Sequence, residues 1–340
     1  MEETELNNAK TTEPRETISL INDKITFSTY IDVTPDFWLV FGDTTIAFVG
    51  RRLCANTGKS TMVSVSERIS NMEYSTAKYC TSDCRAVVFS PVSVECYIFQ
   101  ENHLDLVWSA SQTNFSSIGL GKFQDSAIYG DTLRVITDEG VLAVFDFTNT
   151  SLLFQKKVAD IGKIKIASGD DKTICLIEEN LNAICLRVDA EHDEYQVLRN
   201  FNIKRRVTIL LKEGSDFLQD VHVVSTRDGF VMYDDVDLIE YDMVTDVMHS
   251  YSGVCNVVYV KVDSDFLYCG SRGGEFTVID RRTRNVAQNL KLKTEANNAI
   301  VEYKLNEDNN ILYFSDKKMM YAFNDFKMYL PLGPEKMEES

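Results

Sequence analysis

Seven copies of a hairpin pattern, spaced by about 40–45 residues, predict an all-β chain folded as a seven-bladed β-propeller of four-stranded antiparallel blades. Two observations carry this prediction. The first is the pattern itself, clearest from Asp265 to Arg282. An apolar run, Phe266 to Cys269, enters a Gly-Ser-Arg-Gly-Gly turn, and a second alternating run, Phe276 and Val278, leaves it and closes on Asp280 and Arg282. That is a β-hairpin with a stop signal. The second is that further strand-like runs lie between the copies, which brings each unit to four short strands. A four-stranded blade is apolar on both faces, so blades must stack around an axis to bury them.

In chain order, the earliest copy pairs Phe37–Asp43 with Thr45–Val49, and the next pairs Val94–Asn102 with Leu104–Trp108. Asp131–Gly140 with Leu142–Asp146 follows, then Thr173–Ile177 with Ala183–Leu186, then Val221–Ser225 with Leu238–Asp242. After the central copy, Asn310–Ser315 with Tyr321–Asp325 is the last. Val257–Val262 precedes the central hairpin, Val286–Leu292 follows it, and Ala299–Leu305 opens the next unit. The interval between the first two copies is longer than the rest, and the polar stretch Ser70–Asp83 after Val63–Ile69 reads as an insertion loop, the kind of place where partners are often recognised. Thr17–Ile21 reads as an extra strand expected to close the ring by completing the blade that ends in Phe326–Leu330. The expected organisation is a disordered acidic tail over 1–15, the propeller over 16–333 and a C-terminal tail over 334–340.

The 340 residues carry 35 Lys and Arg against 52 Asp and Glu, a formal charge of −17, which opposes a broad electrostatic footprint for nucleic acid or an anionic membrane. Two local basic runs, Lys204-Arg205-Arg206 and Arg281-Arg282-Thr283-Arg284, read as solvated turn residues. The polar start Met1–Arg15 lacks the apolar core of a secretory signal, and no apolar run approaches the ~18 residues of a membrane span. An intracellular protein, in the cytoplasm or nucleus, is the expectation. Cys96, Cys175, Cys185 and Cys269 lie inside apolar strand patterns, where Cys acts as a small hydrophobe, and they read as reduced thiols.

Catalytic signatures are weak. Gly58-Lys59-Ser60 resembles the end of a phosphate-binding loop, but Leu53 stands where its first glycine is required and no helix pattern follows. Cys80 and Cys84 form the one close cysteine pair, and His103, His192, His222 and His249 are scattered, so no zinc site is expected. Carboxylate pairs such as Asp170-Asp171 and Asp234-Asp235 fall at turns, where they are solvated. There is no Gly-x-Ser-x-Gly nucleophile elbow. No catalytic residue, metal or cofactor is expected.

The central copy resembles the WD-repeat family. Cys269-Gly270, the turn Ser271–Gly274, Phe276 and Val278, then Ile279-Asp280-Arg281-Arg282-Thr283 follow that family's closing pattern of apolar-Asp-x-Arg-Thr. Asp146, Asp242 and Asp325 hold the aspartate position in other copies; Ile279, Phe145, Tyr241 and Asn324 stand where the family has Trp, and no Gly-His precedes any copy. The resemblance implies a non-catalytic scaffold for other proteins within a multiprotein complex. It nominates Arg272, Asp280, Arg281 and Arg282 as partner-binding residues, on the rims of the disc. Asp280-x-Arg282 is also similar to the box found in substrate receptors of cullin-RING ubiquitin ligases, where the arginine helps dock the adaptor. In the alternative reading, Asp280 caps its own turn and Arg282 pairs locally. An enzymatic propeller with a site in the central channel is the remaining possibility, and the scarcity of His argues against it.

Overall fold

The computed structural model describes residues 18–19, 37–41, 44–49, 52–57, 78–82, 84–90, 93–100, 103–111, 121–147, 151–168, 172–205, 216–251, 253–294, 297–306, 311–316, 320–324 and 326. Strand β1 (Ile18–Ser19) comes first, followed by a sheet of β2 (Phe37–Phe41), β3 (Thr44–Val49) and β4 (Arg52–Thr57). Five four-stranded antiparallel units follow. They are β5 (Lys78–Ser82), β6 (Arg85–Ser90), β7 (Ser93–Gln100) and β8 (His103–Ser111); β9 (Phe123–Tyr129), β10 (Thr132–Thr137), β11 (Val141–Asp146) and β12 (Leu152–Lys157); and β13 (Ile164–Ser168), β14 (Thr173–Glu178), β15 (Asn182–Asp189) and β16 (Glu194–Asn202). The last two are β17 (His222–Thr226), β18 (Gly229–Tyr233), β19 (Leu238–Asp242) and β20 (Val247–Ser250), then β21 (Val257–Val262), β22 (Phe266–Ser271), β23 (Glu275–Asp280) and β24 (Val286–Lys291). A three-stranded sheet of β25 (Glu302–Asn306), β26 (Ile311–Ser315) and β27 (Met320–Asn324) ends the order.

The chain is a β-propeller with four-stranded antiparallel blades, and among the described residues the expected count of seven such blades is corrected to five. The first and last sheets have three strands each among the described residues. Each of the seven hairpin copies falls in its own sheet, because the period of the apolar pattern follows the blade. Two copies were matched to the wrong strands. Val94–Trp108 spans the third and fourth strands of its blade, β7 and β8, and the Val221–Asp242 copy joins β17 to β19 while passing over β18, Gly229–Tyr233. Both errors pass over a second strand, β6 with its run Ala86–Phe89 or β18, whose continuous apolar run gives no alternation to place it by. The proposed insertion is shortened as well, since Lys78–Ser82 is the strand β5; the rest of it lies outside the described residues.

In the four-stranded blades the centres of the middle strands are buried because successive side chains serve different interfaces. On β11, Ala143 and Phe145 pack with Val87, Val94 and Cys96 of the preceding blade, while Leu142 and Val144 pack with Ile166, Ile174 and Leu176 of the following one. On β22 and β23, Leu267, Cys269 and Ile279 join Val231 and Leu238 behind, and Tyr268, Phe276 and Val278 join Leu305, Leu312 and Phe314 ahead. Alternation along the strand therefore becomes alternation between neighbours around the axis. Close approach has its own requirement at Gly270, where a Cβ would lie 2.5 Å from the Tyr303 ring. The Tyr303 hydroxyl donates to the Ser271 carbonyl at 2.5 Å across the same contact.

First strands lie side by side in the order β5, β9, β13, β17, β21 and β25. Tyr79 on β5 donates to Glu302 on β25 at 2.6 Å, bringing the two ends of that series together. The inward edges of these strands would offer unpaired amides; side chains of the preceding blade cover several. Gln124 accepts from the Ile164 amide at 2.6 Å, Asp125 from Ile166 at 3.0 Å, and the Tyr259 hydroxyl from Leu305 at 3.2 Å. A register shift recurs between third and fourth strands in four blades, at Cys96/Tyr97, Val144/Phe145, Cys185/Leu186 and Val278/Ile279. Such bulges add local twist.

The N-terminal segment is a strand, as its sequence suggests, but its partner differs. Ile18 and Ser19 run parallel to Leu290 and Lys291, adding β1 to the outer edge of β24 and not to the last blade. Residues 1–15 and 327–340 lie outside the described residues.

Candidate interaction surface

The turns of each blade form two faces. Turns between second and third strands, together with the connections between blades, make one; turns between first and second and between third and fourth strands make the other. Arg272 follows β22 and belongs to the first face, whereas Asp280, Arg281 and Arg282 end β23 and belong to the second. The six residues of β23 separate the groups by roughly 20 Å. The four residues named from the sequence therefore do not form one site.

On the first face, Arg272 is exposed, with 60% of its side chain accessible, and its guanidinium lies 3.7 Å from Asp235 on the neighbouring blade. The backbone beneath it is tied down: the Arg272 amide donates to the Asn256 carbonyl at 2.9 Å, and its carbonyl accepts from Ile300 at 3.0 Å. Gly274 completes this turn at φ +84, and a Cβ there would meet the Leu292 carbonyl at 2.3 Å. Glycine is required at that position.

On the second face, three consecutive residues have three different roles. Asp280 caps its own turn, its carboxylate accepting from the amides of Arg282 and Thr283 at 2.8 Å each. Asp242 does the same one blade earlier, accepting from Val244 at 2.8 Å and Thr245 at 3.1 Å. Burial works to raise the Asp242 pKa, but the Thr245 and Val244 donors and the Arg284 charge outweigh it, and the carboxyl is held below its ordinary value. The recurring aspartate is thus explained by turn chemistry.

Arg281 points inward. Its Nη2 and Nε lie 2.7 and 2.9 Å from one oxygen of Glu240 on β19, and its Nη1 donates to the Asp263 carbonyl at 2.6 Å. Glu240 is 1% exposed. Its second oxygen accepts from Arg284 and from the Tyr251 hydroxyl, and Arg284 also donates to Tyr251 at 2.7 Å. Burial, then the Glu240 carboxylate, push the Tyr251 hydroxyl well above its usual pKa. Two of the three arginines in the basic run 281–284 therefore join neighbouring blades, which corrects their reading as solvated turn residues.

Arg282 is exposed, and its guanidinium has no partner among the described residues. The local pairing considered for it is not made; the ion pair at this turn is formed by Arg281, with Glu240 of the preceding blade. Sequence reasoning missed Glu240, Tyr251 and Arg284. A signal was present in one of them: Glu240 stands between Ile239 and Tyr241 in the apolar part of its strand, where a buried carboxylate needs a partner.

Of the remaining candidates, Gly58, Lys59 and Ser60 lie outside the described residues. Among the described residues no group of three or more His, Cys, Asp or Glu is placed to hold a metal ion. His192 bonds Asp189 at 2.9 Å and His222 stacks on Tyr233, while burial, then Arg284, lower the His249 pKa. No helix among the described residues is long and apolar enough to cross a membrane.

No family model and no curated protein matches the chain. Solved structures do resemble it. Sqt1 of Saccharomyces cerevisiae superposes with a TM-score of 0.58 at 12% identity, covering 86% of this chain and 82% of that one. The WD40 domain of Neurospora crassa Pan2 gives 0.58 at 9% identity, with 87% and 90% covered. The computationally designed Ika8 protein gives 0.55 at 9% identity, with 89% and 99% covered. At these identities the likeness is one of fold.

Proposed function

We propose that this propeller, of WD-repeat type, is a non-catalytic protein–protein interaction scaffold, a subunit of a multiprotein complex in the cytoplasm or nucleus. One observation carries the reading: Arg282 projects into solvent from a turn held by the Asp280 cap and the Arg281–Glu240 ion pair. A guanidinium on a braced turn recognises carboxylates or carbonyls of a partner with little ordering cost on the scaffold side. Arg272 offers a second, weaker anchor on the opposite face, so two partners can be held at once. The net charge of −17 favours protein over nucleic acid as the ligand.

Affinity purification of the tagged full-length chain from its native cell, beside Arg272→Ala and Arg282→Ala, tests this. Stoichiometric protein partners that are lost from at least one variant support it. The absence of any stoichiometric partner, or partners indifferent to both substitutions, opposes it.

The exposure of Arg282 in the Asp-x-Arg pattern also favours a narrower reading, that of a cullin-RING substrate receptor docking through this turn. A cullin adaptor among the partners, lost on Arg282→Ala, supports that assignment. Retention of the adaptor by the variant defeats it.

A further inference from the structure

The third four-stranded blade carries a pair of thiols that the scaffold reading does not use. Cys175 on β14 and Cys185 on β15 are direct register partners. Their Sγ atoms are 3.2 Å apart, closer than the about 3.5–4.0 Å at which even carbon atoms make their best contact. Both residues are fully buried, in the cluster where this blade meets Phe230 and Tyr241 of the next. The Met243 sulfur closes the third side, 3.4 Å from Cys175 Sγ.

A metal held by this trio does not fit the spacing. With metal–thiolate bonds of about 2.3 Å, sulfurs 3.2 Å apart subtend about 90°, narrower than the tetrahedral angle of a closed thiolate site. A disulfide fits better. Directly opposed residues of an antiparallel pair have Cα atoms about 4.5 or 5.5 Å apart, and both separations fall in the range of about 4.4–6.8 Å that a disulfide spans. The strands need not move; small side-chain rotations bring the sulfurs to bonding distance.

We propose that Cys175 and Cys185 form a redox site that a peroxide converts to a cross-strand disulfide. The two S–H bonds and the peroxide O–O bond break, one S–S bond forms, and two water molecules leave with the hydrogens and the oxygens; the thiols lose two electrons and the peroxide gains them. Burial confines the reaction to moments when the hairpin opens or when it is not yet covered during folding. Once made, the bond pins the second and third strands of the blade at the interface with its neighbour.

Trypsin cuts after Lys172 and Arg187, so one peptide, Thr173–Arg187, contains both cysteines and no other. The full-length chain is refolded from denaturant with hydrogen peroxide, then denatured in iodoacetamide and digested. The expected peptide is about 2 Da lighter than the dithiol form and takes up no alkyl group until it is reduced. Two alkyl groups, or sulfinic and sulfonic acids on either cysteine while the exposed Cys84 and Cys255 are oxidised, overturn the proposal. Cys185→Ser supplies the second arm. Cys175 is expected to become alkylatable without reduction; if it stays blocked in that variant, its partner is not Cys185 and the assignment fails.

Discussion

Glu240 and Arg281 sit on neighbouring blades and meet in an ion pair from which solvent is almost excluded, with two nitrogens of the guanidinium on one carboxylate oxygen at 2.7 and 2.9 Å. Arg284 and Tyr251 complete the carboxylate's shell. A lone buried carboxylate would be costly, and here three donors offset that cost. The pair joins the third strand of one blade to the turn that ends the third strand of the next.

Removing one partner leaves the other charge buried. Arg281→Ala leaves Glu240 with Arg284 and Tyr251 only, and is expected to destabilise by about 1.5–3 kcal/mol, read as a lower urea midpoint at unchanged slope. An Arg281→Ala protein with wild-type stability would show that the pair contributes nothing.

Arg282, one residue further on, should behave in the opposite way. With no partner among the described residues, Arg282→Ala is expected to change stability by less than about 0.5 kcal/mol, while altering partner binding. A melting temperature that falls as far as that of Arg281→Ala would place Arg282 in the structural network.

Glycine substitutions should separate tight turns from open ones. A Cβ at Gly274 would meet the Leu292 carbonyl at 2.3 Å, and at Gly140 the Ala159 carbonyl at 2.2 Å, whereas nothing lies within 4 Å at Gly130 or Gly253. All four have positive φ. Gly130→Ala and Gly253→Ala should cost about 1 kcal/mol for the left-handed backbone alone. Gly274→Ala and Gly140→Ala should cost several times as much, because the facing backbone carbonyls of Leu292 and Ala159 must move. Equal losses at all four positions, measured by thermal unfolding, would contradict the turn geometry.

The Asp242 cap gives a sign for the acid limb of stability. Its folded pKa is lowered, so its contribution is fully present above the unfolded value of about 3.9 and is lost as pH falls through the lower folded value. Asp242→Asn should therefore cost about 1 kcal/mol near neutral pH and progressively less as pH falls through the lowered folded value. Urea midpoints for both proteins across that range should converge in acid; parallel curves would remove Asp242 as a source of the pH dependence.

The repeat alone determined a great deal. An apolar pattern returning once per unit, with turn residues between, requires strands buried on both faces, and only stacked blades bury them. Leu142–Phe145 and Leu267–Cys269 could be placed in the core, and Asp280 at a turn, from local chemistry. The blade count was less legible: strands with continuous apolar runs, such as Ala86–Phe89 of β6 and Gly229–Tyr233 of β18, carry no alternation to set their place within a blade, and the first and last sheets have three described strands where four were expected. What only the tertiary structure decided are the pairings between residues far apart in the chain. Arg281 and Arg282 are the same residue type in adjacent positions, and nothing local says which one faces Glu240 41 residues earlier. Nor does anything in Thr17–Ile21 say that its partner is β24. Side-chain direction at the end of a strand and the pairing of a free edge depend on what the neighbouring blade presents. That is a property of the assembled ring, which periodicity along a single strand does not encode.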